Sequence, residues 1–365
     1  MKTRKTSLAL GAAATLALAL GLSPARRTQA EPQAPRESQP PLVLALDGVE
    51  LVVRDLARSR GFFQSLGFSS EAARESSGSA EARRSGVPGA RTRRCRLTLG
   101  SERLTLVQYL SPSDGRAVPP DSRGNDLWFQ HVAIVVSDMA RAFEWLRSRH
   151  VAYVSSGPQT LPDWNEAAAG IQAFYFADPD GHTLEIIHFP SGKGDPRWQT
   201  RASCTRAPKE LCYFLGIDHT AITVSDTEQS LAFYRDRLGL RVTGESENYG
   251  PEQEHLNGVF GARLRITTLQ AASGPGLELL EYLAPRGGRP MPPDTRPNDL
   301  IHWQVVASAS DSGAVRNGAA ATGGRAVSAL PELHEALLRD RDGHAWRVQE
   351  MPRNSQNVRS IAPAR

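Results

Sequence analysis

Two residue types recur where strands would present them. His131, His219 and His302 each stand at or near the start of an apolar, β-patterned stretch, and they are three of nine histidines in the 365-residue chain. Glu185 and Glu278 each occupy the middle of an apolar-Glu-apolar run. A strand turns alternate side chains to one face, so the first and last strands of a curved sheet can aim imidazole and carboxylate at a common centre. Neutral imidazole with carboxylate suits Zn²⁺, Ni²⁺ or Fe²⁺, and Mn²⁺ where histidines are fewer. A lone strand histidine is ordinarily a satisfied core residue. Recurrence at one repeat position is what moves the reading toward a ligand.

The repeat is plain. "YLSPSDGRAVPPDSRGNDL" (Tyr109–Leu127) matches "YLAPRGGRPMPPDTRPNDL" (Tyr282–Leu300) without a gap, at 12 of 19 positions. Self-similarity of this kind marks a tandem duplication, with halves over 42–190 and 213–351 joined by a linker over 191–212. Each half is itself double, because "HVAIVVSDMARAFEWLRSRHV" repeats the strand-then-helix pattern of "HTAITVSDTEQSLAFYRDRLG". In the latter, Asp226 is a good N-cap with Gln229 three residues on, Leu231, Tyr234 and Leu238 form one apolar stripe, and Gly239 suits the C′ position. Asp-Gly steps in "DPDGH" and "DRDGH" mark tight hairpins. The fold class is therefore α+β: four βαβββ modules, over about 42–112, 127–190, 213–285 and 300–351, forming two paired-module domains with curved mixed sheets.

The flanks bound the setting. Residues 1–30 carry a basic start, an apolar run and small residues before Glu31, the pattern of a cleaved signal peptide, so a periplasmic or secreted location is expected. Residues 31–41 read as a disordered leader and 352–365 as a tail. The formal net charge of +4 falls to about −1 once Lys2, Arg4, Lys5, Arg26 and Arg27 of the signal are gone. Nucleic acid is not an expected partner, nor is stable membrane association after signal removal; a monomer or homodimer acting on a small molecule is. The basic run "EARRSGVPGARTRRCR" reads as a solvated, flexible insertion. Cys204 and Cys212 could close a small disulfide loop in an oxidising compartment, leaving Cys95 buried on a strand.

The four-fold module, the first-strand histidines and the "DPDGHTLEI" strand together resemble the vicinal oxygen chelate superfamily, which includes glyoxalase I, extradiol dioxygenases and bleomycin-resistance proteins. The resemblance implies that two modules pair into a cup holding one divalent metal, with ligands from the first and last strand of each module. Aligned on that basis, the first-strand position is Gly48, His131, His219 and His302, and the last-strand position is Thr105, Glu185, Glu278 and Arg347. If modules three and four pair, the cup holds His219, Glu278 and His302, a facial triad of the dioxygenase kind, with Arg347 at the fourth position. If modules two and three pair, it holds His131, Glu185, His219 and Glu278. Duplicated halves tend to remain folding units, which favours three with four.

Bound through vicinal oxygens, a substrate would be polarised by the metal, and Glu278 is the candidate catalytic base. The polar stretch Glu245–Leu264 reads as a lid, with Tyr249, His255 and Asn257 as substrate contacts beside Arg347, and Trp164 and Asn165 as the matching guesses in module two. His182 and His344 read as turn and strand-edge residues. The expected function is an exported, metal-dependent enzyme with dioxygenase, isomerase or lyase chemistry on a small oxygenated substrate. The competing class is a non-catalytic small-molecule binder of the bleomycin-resistance type.

Overall fold

The computed structural model describes residues 42–199, 209–330 and 334–351. The expected signal peptide, leader and tail, and Cys204, lie outside the described residues. Cys212 is disulfide-bonded, and Cys95 is free and buried on a strand.

Module one comprises β1 (Val43–Val52), α1 (Leu56–Gln64), β2 (Ser69–Ser70), β3 (Arg74–Ser76), α2 (Gly78–Ser85), β4 (Arg91–Leu99) and β5 (Glu102–Ser111). Module two follows with β6 (Gln130–Val136), α3 (Met139–Ser148), β7 (Ala152–Tyr153), β8 (Gln159–Thr160), β9 (Gln172–Ala177) and β10 (Thr183–His188). Module three holds β11 (Phe214–Thr223), α4 (Thr227–Tyr234), β12 (Arg241–Tyr249), α5 (Pro251–Asn257), β13 (Arg263–Gln270) and β14 (Gly276–Ala284). Module four ends the series with β15 (Trp303–Ala309), α6 (Ser312–Ala319), β16 (Arg325–Leu330), β17 (Glu335–Arg339) and β18 (Ala345–Glu350).

The helix after each first strand starts the same way. Asp55, Asp138, Asp226 and Asp311 take extended backbone and accept bonds from N–H groups of the first turn, which otherwise lack partners. Gln229 also donates from its side chain to the Asp226 carboxylate. Leu231, Tyr234 and Leu238 are buried as expected, although the helix closes at Tyr234, before Leu238. The stretch after Glu245 is not a loop. It is the end of β12, helix α5 and the start of β13. The arginine-rich run is ordered too, as α2 and β4.

Two nine-stranded mixed sheets result, and they cross the duplication. One runs β16-β17-β18-β15-β1-β5-β4-β2 with β3 beside β4; the other runs β12-β13-β14-β11-β6-β10-β9-β7 with β8 beside β9. In each module the first and last strands pair in parallel, and modules meet through antiparallel first strands, β1 with β15 and β6 with β11. The expected pairing of module three with four is therefore corrected: module three shares its sheet with module two, and module one with module four. The halves remain packing units in another sense. One core joins modules one and two on their helix side, through Leu56, Phe63, Met139, Leu146, Phe174 and Ile186. A second joins three and four through Leu231, Phe233, Val315, Leu338 and Trp346. Each half uses its helix faces internally, which leaves its first-strand edges to the other half.

The duplicated Tyr109–Leu127 and Tyr282–Leu300 segments form a reciprocal clasp. Arg116 binds Asp299 at 2.6 Å and Arg289 binds Asp126 at 2.7 Å, both carboxylates buried. Leu300 N donates to Arg116 O, and Leu127 N to Arg289 O. Gly115 and Gly288 are required by this approach, because a Cβ would lie 1.9 Å from Asn298 O and 1.6 Å from Asn125 O. His182 and His344 extend the clasp. Each is buried and bonds through Nδ1 to the Asp of its own turn and through Nε2 to a carbonyl of the other half, Leu300 or Leu127.

Both partners of each ring are acceptors, an arrangement that favours a proton on both ring nitrogens. Burial alone would lower these two pKa values, but Asp178 and Asp340 outweigh it and raise them above 6.5. A raised folded-state pKa stabilises fully below about 6.5 and loses its contribution as pH rises through the folded value. The stability gap between the native protein and a His182→Gln/His344→Gln variant should therefore shrink as pH rises from 6 to 9. Urea midpoints across that range measure it, and a gap that widens with pH would rule the imidazolium out.

Candidate metal centre

Strand register decides which side chains meet. On β6 and β11, His131 lies opposite Ala221 and Ala133 opposite His219. The outer partners continue these rows: Glu185 beside Ala133 on β10, and Glu278 beside Ala221 on β14. Alternation keeps Val132, Ile134 and Ile186 in the helix-side core and turns His131 and Glu185 into the cup. Alanine between each histidine and its neighbour leaves the space into which the four longer side chains lean.

They converge. Glu185 Oε2 lies 3.2 Å from His131 Nε2 and 3.5 Å from His219 Nε2, and Glu278 Oε2 lies 3.4 Å from His219 Nε2. His131, Glu185 and His219 offer ligand atoms all within 4.8 Å of one another. None of these short approaches makes a hydrogen bond: both nitrogens of His131 and Nε2 of His219 are buried without a partner. Donor atoms about 3.0–3.4 Å apart are what an ion with bonds of roughly 2.0–2.2 Å holds along the edges of its coordination shell. His131, Glu185 and His219 thus aim at a common point rather than at each other, with Glu278 adjoining through His219, and two imidazoles with a carboxylate fit a divalent cation.

The surroundings set the protonation of the pair. A register shift in β11 between Ile217 and His219 brings Asp218 to the same side as its neighbour, where its Oδ2 lies 3.0 Å from His219 Nδ1. Trp198 Nε1 holds the other Asp218 oxygen at 2.6 Å. Burial would lower the His219 pKa, but Glu278, Asp218 and Glu185 outweigh it and push it up to about 10. Burial would raise Asp218, yet its bond to His219, with Trp198 and Arg197, holds it below the usual value. Asp218 thereby fixes the tautomer with Nδ1–H, leaving Nε2 for the cup.

Glu278 differs from the other three. Its side chain is 20% exposed against 5% for Glu185, and Thr268 donates to its Oε1 at 3.1 Å. It stands at the floor of a cavity of about 730 Å³, with Asn248, Gln253, Arg241 and Glu245 among the wall residues.

The candidates divide accordingly. His219 and Glu278 share the cup with His131 and Glu185, the set from pairing two with three. His302 does not join them. It lies before β15, in a turn where its N–H bonds Asp299 O; burial and Arg339 push its pKa down to about 3. The register puts Gln304, not His302, at the position of His131, since Gln304 faces Glu50 as His131 faces Ala221. The shared Asn-Asp-Leu, read on without a gap, also aligns Gln304 with His131 and His302 with Phe129. A two-residue slip keeps a strand's face but moves the side chain about 7 Å along it.

Four substrate candidates are also relocated. Tyr249 is exposed at the edge strand, its ring 4.2 Å from that of Trp164. His255 is exposed, and its carbonyl accepts from Ser156. Asn257 is buried and donates to Tyr282 Oη. Arg347 lies in the other sheet. Asn165 bonds Asn248 at 2.7 Å, which anchors its loop against β12. Glu281, facing away from Glu278, accepts from Thr227 N at the start of α4. Asp218 and Trp198 were not singled out from sequence; the Asp-His pair was visible, but alternation sends neighbours to opposite faces, and only the bulge reverses that.

Because His219 carries a proton up to about pH 10 without a cation, binding of Zn²⁺ or Mn²⁺ at pH 8 should release about one proton. Calorimetry in buffers of different ionisation enthalpy measures the release, and affinity should climb with pH toward that value. His219→Ala or His131→Ala should abolish stoichiometric binding, whereas His302→Ala should leave it intact. Asp218→Asn should weaken it roughly 10- to 100-fold.

The model of the Glyoxalase/Bleomycin resistance protein/Dioxygenase superfamily matches this chain twice, over residues 45–186 and 216–348. A 2-epi-5-epi-valiolone epimerase from an Actinomyces species is 37% identical over 89 residues, which are 24% of this chain and 46% of that relative, so the match spans about half of the relative's length. Among solved structures, glyoxalase I from Zea mays is 16% identical over 84% of this chain and 92% of its own, with a TM-score of 0.53. A putative dioxygenase from Bacillus subtilis is 14% identical over 86% of this chain and 87% of its own, with a TM-score of 0.50. At these identities the two structures speak for the fold. The paired family matches cover most of the sequence, and the chain belongs to the Glyoxalase/Bleomycin resistance protein/Dioxygenase superfamily.

Proposed function

We propose that this protein is an exported enzyme that uses one divalent metal ion to isomerise or epimerise a small oxygenated molecule. The observation that carries the reading is the convergence of His131, Glu185 and His219, with Glu278 3.4 Å from His219 and the most accessible of the four, at a cavity that Glu185, His219 and Glu278 line. Export rests on the composition of residues 1–30.

The four side chains would hold the ion, which when bound would polarise a substrate oxygen and make an adjacent C–H more acidic. The chain's own residues supply the rest. Glu278, held at one oxygen by Thr268, is placed to take the proton. Glu185 lies on the far flank of the histidine pair, since the strand order is β14-β11-β6-β10. Two carboxylates on opposite flanks suit removal of a proton from one face and its return to the other, which is what inversion of a stereocentre requires. Four protein donors also leave fewer open positions than the two-histidine, one-carboxylate set of oxygenases. The epimerase relative supports the same reaction class.

Turnover of a polyhydroxylated ketone in D₂O should place deuterium at the inverted carbon. Glu278→Gln should lower that exchange by roughly 10²–10⁴-fold, with folding unchanged by circular dichroism. Consumption of O₂ in step with substrate would overturn the proton-transfer reading in favour of oxygenation. Saturable ligand binding without metal or turnover would leave a binding protein.

A further inference from the structure

The second sheet makes a second cup, and its register shows what became of the metal positions. Gly48 stands where His219 does, Gln304 where His131 does, Arg347 for Glu185 and Thr105 for Glu278. Glu50 replaces Ala221, and Arg347 binds it at 2.5 Å, both side chains 9% exposed. A guanidinium thus occupies the place of a ligand, and its charge is matched by a carboxylate from the neighbouring module.

This cup is lined by arginine. Alternation along β4 puts Cys95, Leu97 and Leu99 into the helix-side core and turns Arg94 and Arg96 to the cup, beside Arg103 of β5 and Arg74 of β3. Four of the cationic groups at the cup already have acids: Arg347 with Glu50, Arg84 with Glu335, Arg96 with Glu71 at 3.4 Å, and Arg94 with Glu81 behind the wall. Asp47, also at the cup, accepts from Ser308. Arg74 and Arg103 make no ion pair among the described residues, and both face the cavity. Nε of Arg347 and Nε of Arg94, two residues that line the cavity, are buried without a partner, Arg347 being only 8% exposed. Gly48 sits between the rows of Arg103 and Arg347 with φ +136, and a Cβ there would lie 2.2 Å from Arg103 O. No side chain can fill that gap, and about 630 Å³ stays open.

We propose that the cup of modules one and four is a metal-independent binding site for a small molecule bearing two or more oxyanion groups, carboxylate or phosphate. Arg74 and Arg103 supply two guanidiniums that form no ion pair among the described residues, against one carboxylate at the cup, that of Asp47, that likewise lacks a cationic partner among them. Guanidinium groups match both anions in pairs of parallel hydrogen bonds. The site does not depend on the reaction assigned to the other cup.

The test is calorimetric titration of the purified protein with citrate and, separately, pyrophosphate. It is repeated on His219→Ala, where the other cup no longer offers a metal for these anions to chelate. One-to-one binding is expected in both proteins, weakened about tenfold or more by Arg103→Ala and by Arg74→Ala. Both arginines are exposed surface positions whose loss should spare the fold. Arg286→Ala, an exposed arginine outside the cup, should change nothing. Preference for citrate marks a polycarboxylate ligand, and preference for pyrophosphate a phosphorylated one. Absence of saturable binding would overturn the proposal. So would binding lost in His219→Ala, or binding weakened equally by Arg286→Ala.

Discussion

The pairing of first strands across the duplication is the constraint on which the rest depends. A β-strand at a module's edge needs a partner for its backbone groups, and each module's last strand satisfies only one side. Because the two modules of a half are joined through their helix faces, the free side of β6 meets β11 and that of β1 meets β15. The Arg116–Asp299 and Arg289–Asp126 pairs and the rings of His182 and His344 then lock the halves in this reciprocal arrangement. Each of these contacts reaches from one half into the other, so neither cup exists within a half alone.

That topology made two cups from one duplicated sequence and let them diverge. The cup of modules two and three gathered two imidazoles and two carboxylates, a set with excess negative charge in which both nitrogens of His131 and Nε2 of His219 are buried without a partner. An ion would supply what is missing; the carboxylates around His219 push its pKa far above the ordinary range of imidazole. In the cup of modules one and four the same four positions became Gly48, Thr105, Gln304 and Arg347. The positive charge there belongs to the protein, and Glu50 appears where the metal cup has Ala221. The first arrangement is suited to a cation and the second to an anion.

Positioning within the metal cup rests on departures from regular strand geometry. The bulge before His219 turns Asp218 toward its neighbour's Nδ1, and Trp198, from the segment between the halves, holds that carboxylate. The inter-half segment is thus part of how the histidine is oriented, through Trp198.

The sequence by itself determined the module, its four-fold repetition, the aspartate caps and the residue types of the site. These follow from local chemistry: alternation sets a strand's faces, and a short side-chain acceptor satisfies a helix's first N–H groups. It also showed that His219 and Glu278 share a module, since both lie on one β-α-β-β-β unit. What it left open was which module faces which, because either pairing satisfies the same alternation. The assignment of His302 slipped by two residues because such a slip preserves the strand's face; the hydrogen-bonded register against β1 distinguishes Gln304 from it, in agreement with the ungapped run from Asn-Asp-Leu. The arginine run likewise read as a solvated segment, although its alternation of cysteine and leucine with arginine is that of a strand with one face in the core. Tertiary structure decided these points, because partner, register and bulge are set by contacts between segments far apart in the chain.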